Sequence, residues 1–153
     1  MDVASWNDRY AAPQYIYGET PNTFVAEMAS QIPAGPVLCL AEGEGRNAVY
    51  LATLGHRVTA VDQSEAGLAK ARRLAIARGV EIETVLADLG NFIIEPGVWS
   101  GIVATFAHLP PVIRRQVHAQ AVRGLRSGGV FVLEAIPRRN WRSTPAGQNP
   151  RNY

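Results

Sequence analysis

The sequence predicts an α/β fold built on a doubly wound parallel sheet, and three observations support this prediction. Short apolar runs alternate with helix-forming runs along the 153-residue chain. The run Val37–Leu40 is uninterrupted, as is typical of a strand buried on both faces of a parallel sheet. A glycine turn, Gly43-Glu44-Gly45, and a helix-forming stretch separate this run from Arg57–Val61, which is followed directly by the acid Asp62. This order is typical of a Rossmann-like, nucleotide-binding half-sheet.

Each helix is predicted from its apolar spacing and its end signals. Phe24, Met28 and Ile32 recur every four residues before a proline, which predicts a helix over Thr23–Ile32. Ser64 is a typical N-cap for a helix that runs to Arg78, and we expect its inner face to carry Leu68, Ala71, Ala75 and Ile76. Two more helices are predicted from a following glycine or a leading proline, at Arg46–Leu54 and Pro110–Leu125.

Three further apolar runs complete the sheet. They lie at Glu81–Leu86, which alternates as an edge strand does, at Ser100–Phe106 and at Val130–Ala135, after the helix breaker Ser127-Gly128-Gly129. Right-handed crossovers and a switch point beside strand 1 give the strand order 3-2-1-4-5. We therefore expect a ligand to lie across the carboxyl ends of strands 1 to 4.

Composition divides the chain into three regions. Residues 1–22 are rich in aromatic side chains and show no clean period, so we expect a lid segment that packs on the body or covers a ligand. Residues 23–135 form the predicted ligand-binding domain. Residues 136–153 form an irregular basic tail that contains four of the 15 basic residues and no acid. The remaining eleven basic and 13 acidic residues leave the body mildly acidic, so nucleic acid is not expected as a partner.

Several classes of protein are excluded. No apolar run approaches the ~20 residues of a membrane span, and the polar N-terminus does not resemble a signal peptide. The single Cys39 excludes an internal disulfide and fits a reduced, cytoplasmic protein. Three histidines and this cysteine lie in separate elements without metal-ligand spacing, so no metal site is expected.

Short motifs in order between Trp6 and Ala135 indicate a family. They are W-N-D-R-Y with Y-G-x-x-P-N near the N-terminus, E-G-E-G-R-N-A after strand 1, V-D-Q-S after strand 2, A-D-L after strand 3 and F-A-H-L-P-P after strand 4. With these motifs the chain resembles class I S-adenosylmethionine-dependent methyltransferases, in particular the small tellurite-resistance and thiopurine-type branch. The resemblance implies S-adenosyl-L-methionine as cofactor and a small, soft nucleophile, such as a thiol or a chalcogen oxyanion, as methyl acceptor.

The resemblance also implies roles for individual residues. Gly43 and Gly45 would pass beside the methionine part of the cofactor, and Asp62 would accept hydrogen bonds from the ribose hydroxyls. Asp88 would bind the adenine amino group, and the N–H of Leu89 would face a ring nitrogen. Phe106 and Ala107 would line the methionine side, and Tyr17 and Arg46 are candidates for contacts to the cofactor carboxylate or to the substrate. The predicted cofactor-binding set is therefore Tyr17, Glu42, Gly43, Gly45, Arg46, Asp62, Gln63, Asp88, Leu89, Phe106 and Ala107.

The turn after strand 1 departs from the family pattern. Cys39 stands at the usual acid and Ala41 at the usual first glycine. Glu42 lies nearer the turn and supplies a carboxylate in their place; the alternative is an ordinary solvated loop acid.

His108 is the candidate catalytic residue, for substrate contact or proton acceptance, and the alternative is a loop histidine bonded to backbone. Methyl transfer from a sulfonium asks mainly for alignment and desolvation, so a catalytic residue need not exist.

Two other functions stay open at this point. One is a truncated, inactive remnant that only binds cofactor or serves as an interaction module. The other is a fragment of an NAD-binding oxidoreductase, because G-E-G-R-N-A also satisfies the G-x-G-x-x-A pattern. Against this second reading, the chain offers one five-strand unit and no room for a catalytic domain.

The tail differs from the family continuation E-A-Y-T-P-x-Q-L. Codons for Ala135 to Trp141 exist that, read one base earlier, encode Tyr-Thr-Pro-Ala-Gln-Leu. We therefore expect a C-terminally truncated chain in which 136–153 is a frame-shifted ending and the family's last antiparallel strands are missing. Strand 5 would then keep an unpaired edge, so we expect the chain to be marginally stable, to form a homodimer through strand 5 or to aggregate.

Overall fold

The computed structural model describes residues 2–105, 107 and 109–135. Five helices lie in this part of the chain: α1 (Val3–Tyr10), α2 (Thr23–Met28), α3 (Arg46–Thr53), α4 (Glu65–Ala77) and α5 (Pro111–Gly124). A 3₁₀ turn, Ala29–Gln31, extends α2 toward the predicted end of that helix. The five strands are β1 (Pro36–Leu40), β2 (Arg57–Asp62), β3 (Glu83–Leu86), β4 (Trp99–Thr105) and β5 (Leu125–Glu134).

The strands form one parallel sheet in the order β3-β2-β1-β4-β5, which confirms the predicted topology. Leu40 at the end of β1 pairs with Val61 of β2 and with Ala104 of β4. Asp62 pairs with Leu86, the last residue of β3. The carboxyl ends of β1 to β4 therefore meet at one edge of the sheet, where the predicted site residues follow them.

The central strand β1 is buried on both faces, as its apolar run predicts. Val37 and Cys39 face a core layer with α2 and α3, whereas Leu38 and Leu40 face a second layer that includes Val117 and Ala121 of α5. Cys39 is fully buried, and this burial raises the pKa of its thiol well above the ordinary value.

The inner face of α4 differs from the prediction at one position. Ile76 is 78% exposed, whereas Leu74 is 1% exposed and takes the expected inner place. The physical reason is the helical period of 3.6 residues: from Ala71 the inner stripe continues three and four residues on, at Leu74 and Ala75, and turns away from Ile76.

Two other elements differ from the prediction. The segment 1–22 contains α1, whose N-cap Asp2 accepts a hydrogen bond from the Ser5 N–H at 2.8 Å. β5 begins directly after α5, because Leu125 pairs with Trp99 before pairing resumes at Val130 opposite Gly101. The predicted breaker at 127–129 thus makes an irregularity within β5 and not a loop before it.

Two negative findings apply to the described residues only. No helix among them is long and apolar enough to cross a membrane. They also contain no group of three or more His, Cys, Asp or Glu side chains arranged to hold a metal ion. Phe106, His108 and the tail 136–153, with its predicted frame-shifted ending, lie outside the described residues.

Candidate functional site

The turn after β1 is shaped by left-handed backbone. Gly43 has φ +60° and Gly45 has φ +89°, a region that favours glycine. A Cβ at Gly43 would lie 2.7 Å from the Tyr10 hydroxyl, and a Cβ at Gly45 would lie 2.8 Å from the Ala71 Cα. Both positions therefore need glycine for the close packing of α1 and α4 against the turn, in addition to the backbone conformation.

Asp62 ties this turn to the end of β2. Its Oδ2 accepts a hydrogen bond from the Gly43 N–H at 2.8 Å, and its Oδ1 accepts one from the Ser64 N–H at 2.9 Å. Burial raises the pKa of Asp62, and this desolvation outweighs the opposing effect of the backbone donors. The predicted ribose acceptor thus also holds the shape of the glycine turn.

Glu42 caps the helix that follows the turn. Its Oε1 accepts a hydrogen bond from the Ala48 N–H in the first turn of α3, at 2.6 Å. Desolvation raises the pKa of Glu42 to about 7; the nearby Asp62 charge raises it too, whereas the bond from Ala48 lowers it. Glu42 is therefore a partly buried capping acid and not a solvated loop acid.

The loop after β3 joins the same edge. The Ala87 N–H donates to the Asp62 carbonyl at 3.0 Å, and the exposed Asp88 accepts the Gly90 N–H at 2.9 Å. The Leu89 side chain is buried in the core layer on the α5 side of the sheet. Gln63 is partly buried between Asp62 and the cap of α4.

Helix α1 covers the glycine turn. Tyr10 is 6% exposed and lies against Gly43 and Gly67, and its ring stacks on Trp6 with 5.4 Å between centroids. Asn7 Oδ1 accepts hydrogen bonds from the Ser64 hydroxyl at 2.7 Å and from the Ala66 N–H at 3.4 Å. The aromatic N-terminal segment thus lies directly over the predicted site.

The structure brings Tyr17 and Arg46 together. Arg46 Nη1 donates to the Tyr17 carbonyl at 3.2 Å, and its guanidinium carbon lies 5.9 Å from the centroid of the Tyr17 ring. Burial raises the pKa of Tyr17, and the nearby positive charge of Arg9 partly offsets this rise. Two cations therefore flank this tyrosine at the mouth of the glycine turn.

A buried ion pair was not predicted from the sequence. Lys70 Nζ lies 2.7 Å from Glu44 Oε2, and the two residues are 1% and 4% exposed. The helical spacing of α4 contains the signal, because Lys70 falls on the inner stripe between Gly67 and Leu74.

A polar network behind Arg46 was also missed. Asn47 Oδ1 accepts the Asn22 N–H at 2.8 Å, and Asn47 Nδ2 donates to Thr105 Oγ1 at 3.2 Å. It joins the start of α2, the start of α3 and the end of β4. The motif Y-G-x-x-P-N, which ends at Asn22, is the signal in the sequence.

A cavity of about 420 Å³ opens beside this network. Its lining carries one positive and two negative side chains and consists of residues 20–24, Glu27, Arg46 and Glu134. Ala107, partly buried, follows β4 at the same edge of the sheet. The neighbouring candidates Phe106 and His108 lie outside the described residues.

The sequence matches the family of methyltransferase domains over residues 37–129, more than half of the chain. The chain belongs to this family. The membership confirms the predicted class of protein and decides against the oxidoreductase alternative. No curated protein matches the sequence.

Solved structures agree with the fold. CcbJ methyltransferase from Streptomyces caelestis shares 28% identity at a TM-score of 0.70, over 87% of this chain and 58% of its own. TehB from Haemophilus influenzae shares 23% at 0.67, over 86% and 44%. Haemonchus contortus phosphoethanolamine N-methyltransferase 1, in complex with phosphoethanolamine and S-adenosylhomocysteine, shares 18% at 0.74, over 95% and 33%. The chain thus spans a third to three-fifths of these structures, and the tellurite-resistance and thiopurine branch stays a prediction.

Proposed function

We propose that this protein is an S-adenosylmethionine-dependent methyltransferase that acts on a small, soft nucleophile. The observation that carries the proposal is the carboxylate of Asp62, fixed against the Gly43 N–H at the carboxyl edge of the sheet. Membership in the methyltransferase domain family and a fold shared with structures such as the one in complex with S-adenosylhomocysteine support it.

The polar side chains at this edge of the sheet fit this cofactor. A carboxylate has about four acceptor sites, and Gly43 and Ser64 use two of those on Asp62, which leaves capacity for ribose hydroxyls. The exposed Asp88, tied to the same edge, offers an acceptor for an adenine amino group. Tyr17 and Arg46 lie beside the turn and suit an anionic group, either the cofactor carboxylate or the methyl acceptor.

The chain's own residues have mainly a positioning role in this reaction. The cofactor supplies an activated methyl group on a sulfonium. Asp62 and the glycine turn orient the bound ligand, and α1 with Tyr10 keeps water from this part of the site. His108 stays the candidate for substrate contact or proton acceptance.

We place the methyl acceptor in the cavity beside Arg46. A guanidinium favours a thiolate or an oxyanion there, and Glu27 and Glu134 suit an acceptor that also carries an amine. Arg46→Met should raise the KM for a small anionic thiol at least fivefold, whereas the exposed Arg57→Met serves as the matched control and should not. Equal KM values for both variants would remove Arg46 from the acceptor site.

Calorimetric titration tests the proposal as a whole. We expect S-adenosylhomocysteine to bind and NAD not to bind. Binding of S-adenosylhomocysteine without turnover across a panel of small thiols and chalcogen oxyanions would favour the inactive remnant. Failure of S-adenosylhomocysteine to bind the folded protein would overturn the proposed function.

Two further predictions, on localisation and on oligomeric state, belong to this proposal. We expect a cytoplasmic protein and a homodimer through the edge of β5. Sedimentation velocity of wild type and of Leu133→Lys, a change on the outer strand where Leu133 is 39% exposed, tests the dimer. A monomer at micromolar concentration would contradict it.

A further inference from the structure

We propose that Glu44 and Lys70 are positioning residues that latch the segment Gln14–Tyr17 onto the glycine turn, so that closure of this segment and cofactor binding stabilise each other. The inference deepens the proposed function and rests on it for the cofactor. The latch itself stands on contacts among residues of the chain.

The geometry of the latch is a closed set of contacts. Lys70 Nζ donates to Glu44 Oε2 and to the Gln14 carbonyl, each at 2.7 Å. Glu44 Oε1 accepts the Ile16 N–H at 2.8 Å. The Tyr15 hydroxyl donates to the Lys70 carbonyl at 3.0 Å, and Lys70 Nζ lies 5.5 Å from the centroid of the Tyr15 ring.

Both charges depend on the segment for their full set of partners. Glu44 and Lys70 are 4% and 1% exposed, so in the closed state their hydrogen-bond partners are protein groups and not water. If the segment lifts, Lys70 loses the Gln14 carbonyl and Glu44 loses the Ile16 N–H. The ion pair therefore favours the closed segment, and the closed segment favours the ion pair.

The latch reaches the proposed cofactor site through the chain itself. Glu44 lies between Gly43, which donates to Asp62, and Gly45, the N-cap of α3. A side chain held at both carboxylate oxygens restricts the backbone of this turn. If closure of the segment orders the turn and so strengthens cofactor binding, then by linkage the bound cofactor stabilises the closed segment by the same coupling free energy.

Hydrogen exchange of the full chain without ligand tests the latch directly. In Lys70→Met, the Ile16 amide hydrogen should exchange at least tenfold faster than in wild type. Arg123→Met, which removes an exposed cation of α5, is the control and should leave this exchange rate unchanged. Exchange within twofold of wild type in a folded Lys70→Met variant would overturn the latch.

A milder variant keeps the test decisive if Lys70→Met fails to fold. Tyr15→Phe retains the ring and removes only the hydroxyl that donates to Lys70. In Tyr15→Phe, the Ile16 amide hydrogen should still exchange about threefold faster than in wild type. An unchanged rate would overturn the latch.

S-adenosylhomocysteine tests the coupling. In wild type it should slow exchange across residues 11–18, and Lys70→Met should bind it about tenfold more weakly with less slowing. Binding by wild type without slowing overturns the coupling and leaves the proposed function standing. No binding by wild type overturns the proposed function and the coupling, while the ligand-free exchange still decides the latch.

Discussion

The Asp62 carboxylate at the end of β2 accepts a hydrogen bond from the Gly43 N–H at 2.8 Å. One side chain therefore joins the end of β2 to the turn that follows β1. The same carboxylate receives the Ser64 N–H, which begins the cap of α4. The Asp62 carboxylate therefore has two roles: it holds the glycine turn in place, and it is the proposed acceptor for the ribose hydroxyls.

Asp62→Ala should weaken S-adenosylhomocysteine binding at least tenfold, about 1.4 kcal/mol. It should also lower the free energy of unfolding by about 1–3 kcal/mol, because two buried N–H groups lose their acceptor. Titration calorimetry and urea unfolding measure the two effects, with the exposed Glu81→Ala as control. An unchanged dissociation constant with the fold intact would remove Asp62 from the site.

Glu42→Gln should make stability less dependent on pH. The pKa of Glu42 is raised from 4.5 to about 7, so the folded state favours the protonated acid. In wild type that contribution is complete below pH 4.5 and is lost as pH rises through about 7. Gln stays neutral and keeps an oxygen for the Ala48 N–H.

We therefore expect Glu42→Gln to be more stable than wild type at pH 8, by about 1–3 kcal/mol, and nearly equal to it at pH 4.5. Urea unfolding at both pH values measures this difference. The same difference at both values would show that Glu42 does not titrate between them.

Gly45→Ala should destabilise the protein more than Gly55→Ala. Both glycines have left-handed backbone, with φ +89° and +96°, so both variants carry a strain of about 1–2 kcal/mol. Only Gly45 faces Ala71 closely, whereas nothing lies within 4 Å of a Cβ at Gly55. The overlap should add about 1–3 kcal/mol.

The double variant Gly45→Ala/Ala71→Gly should recover part of that addition, because the Ala71 Cβ is the atom it removes. Urea unfolding of the single and double variants gives the coupling energy. Equal losses for Gly45→Ala and Gly55→Ala would argue against close packing of the turn on α4.

Asn47→Ala should lower the free energy of unfolding by about 1–3 kcal/mol, because the buried Asn22 N–H loses its acceptor. Asn47→Asp keeps that acceptor and should lose less. The exposed Asn91→Ala is the control, measured in the same thermal or urea experiment. A loss no larger than that of Asn91→Ala would show that the network does not hold α2 to α3.

The sheet was predictable because its signals are local and repeated. Uninterrupted apolar runs, helices between them and glycine after β1 indicate a parallel order, and right-handed crossovers leave few alternatives. The end of β2 at Asp62 and the cap at Ser64 were also predictable, since each depends on its immediate neighbours. Family membership confirms the class of protein that the motifs indicate.

The missed features depend on contacts distant in sequence. From the sequence alone, Lys70 is expected to be a solvent-exposed helix residue. Its partners, Glu44 and the Gln14 carbonyl, lie 26 and 56 residues away in the sequence and contact it only in the folded chain. α1 has a local cap, Asp2, but its aromatic residues find their place only against Gly43 and Gly67. The face of α4 was misread at Ile76, where an apolar side chain lies on the exposed side.

Cys39 gives the protein a built-in reporter of its own unfolding. It is the single cysteine of the chain, it lies in the central strand, and it is completely buried. A thiol reagent therefore reaches it only when the sheet itself opens, so the labelling rate reports the population of the globally open state. Cysteines introduced at exposed positions, for example on α1 or β5, can then be labelled selectively in the folded protein while Cys39 stays in place.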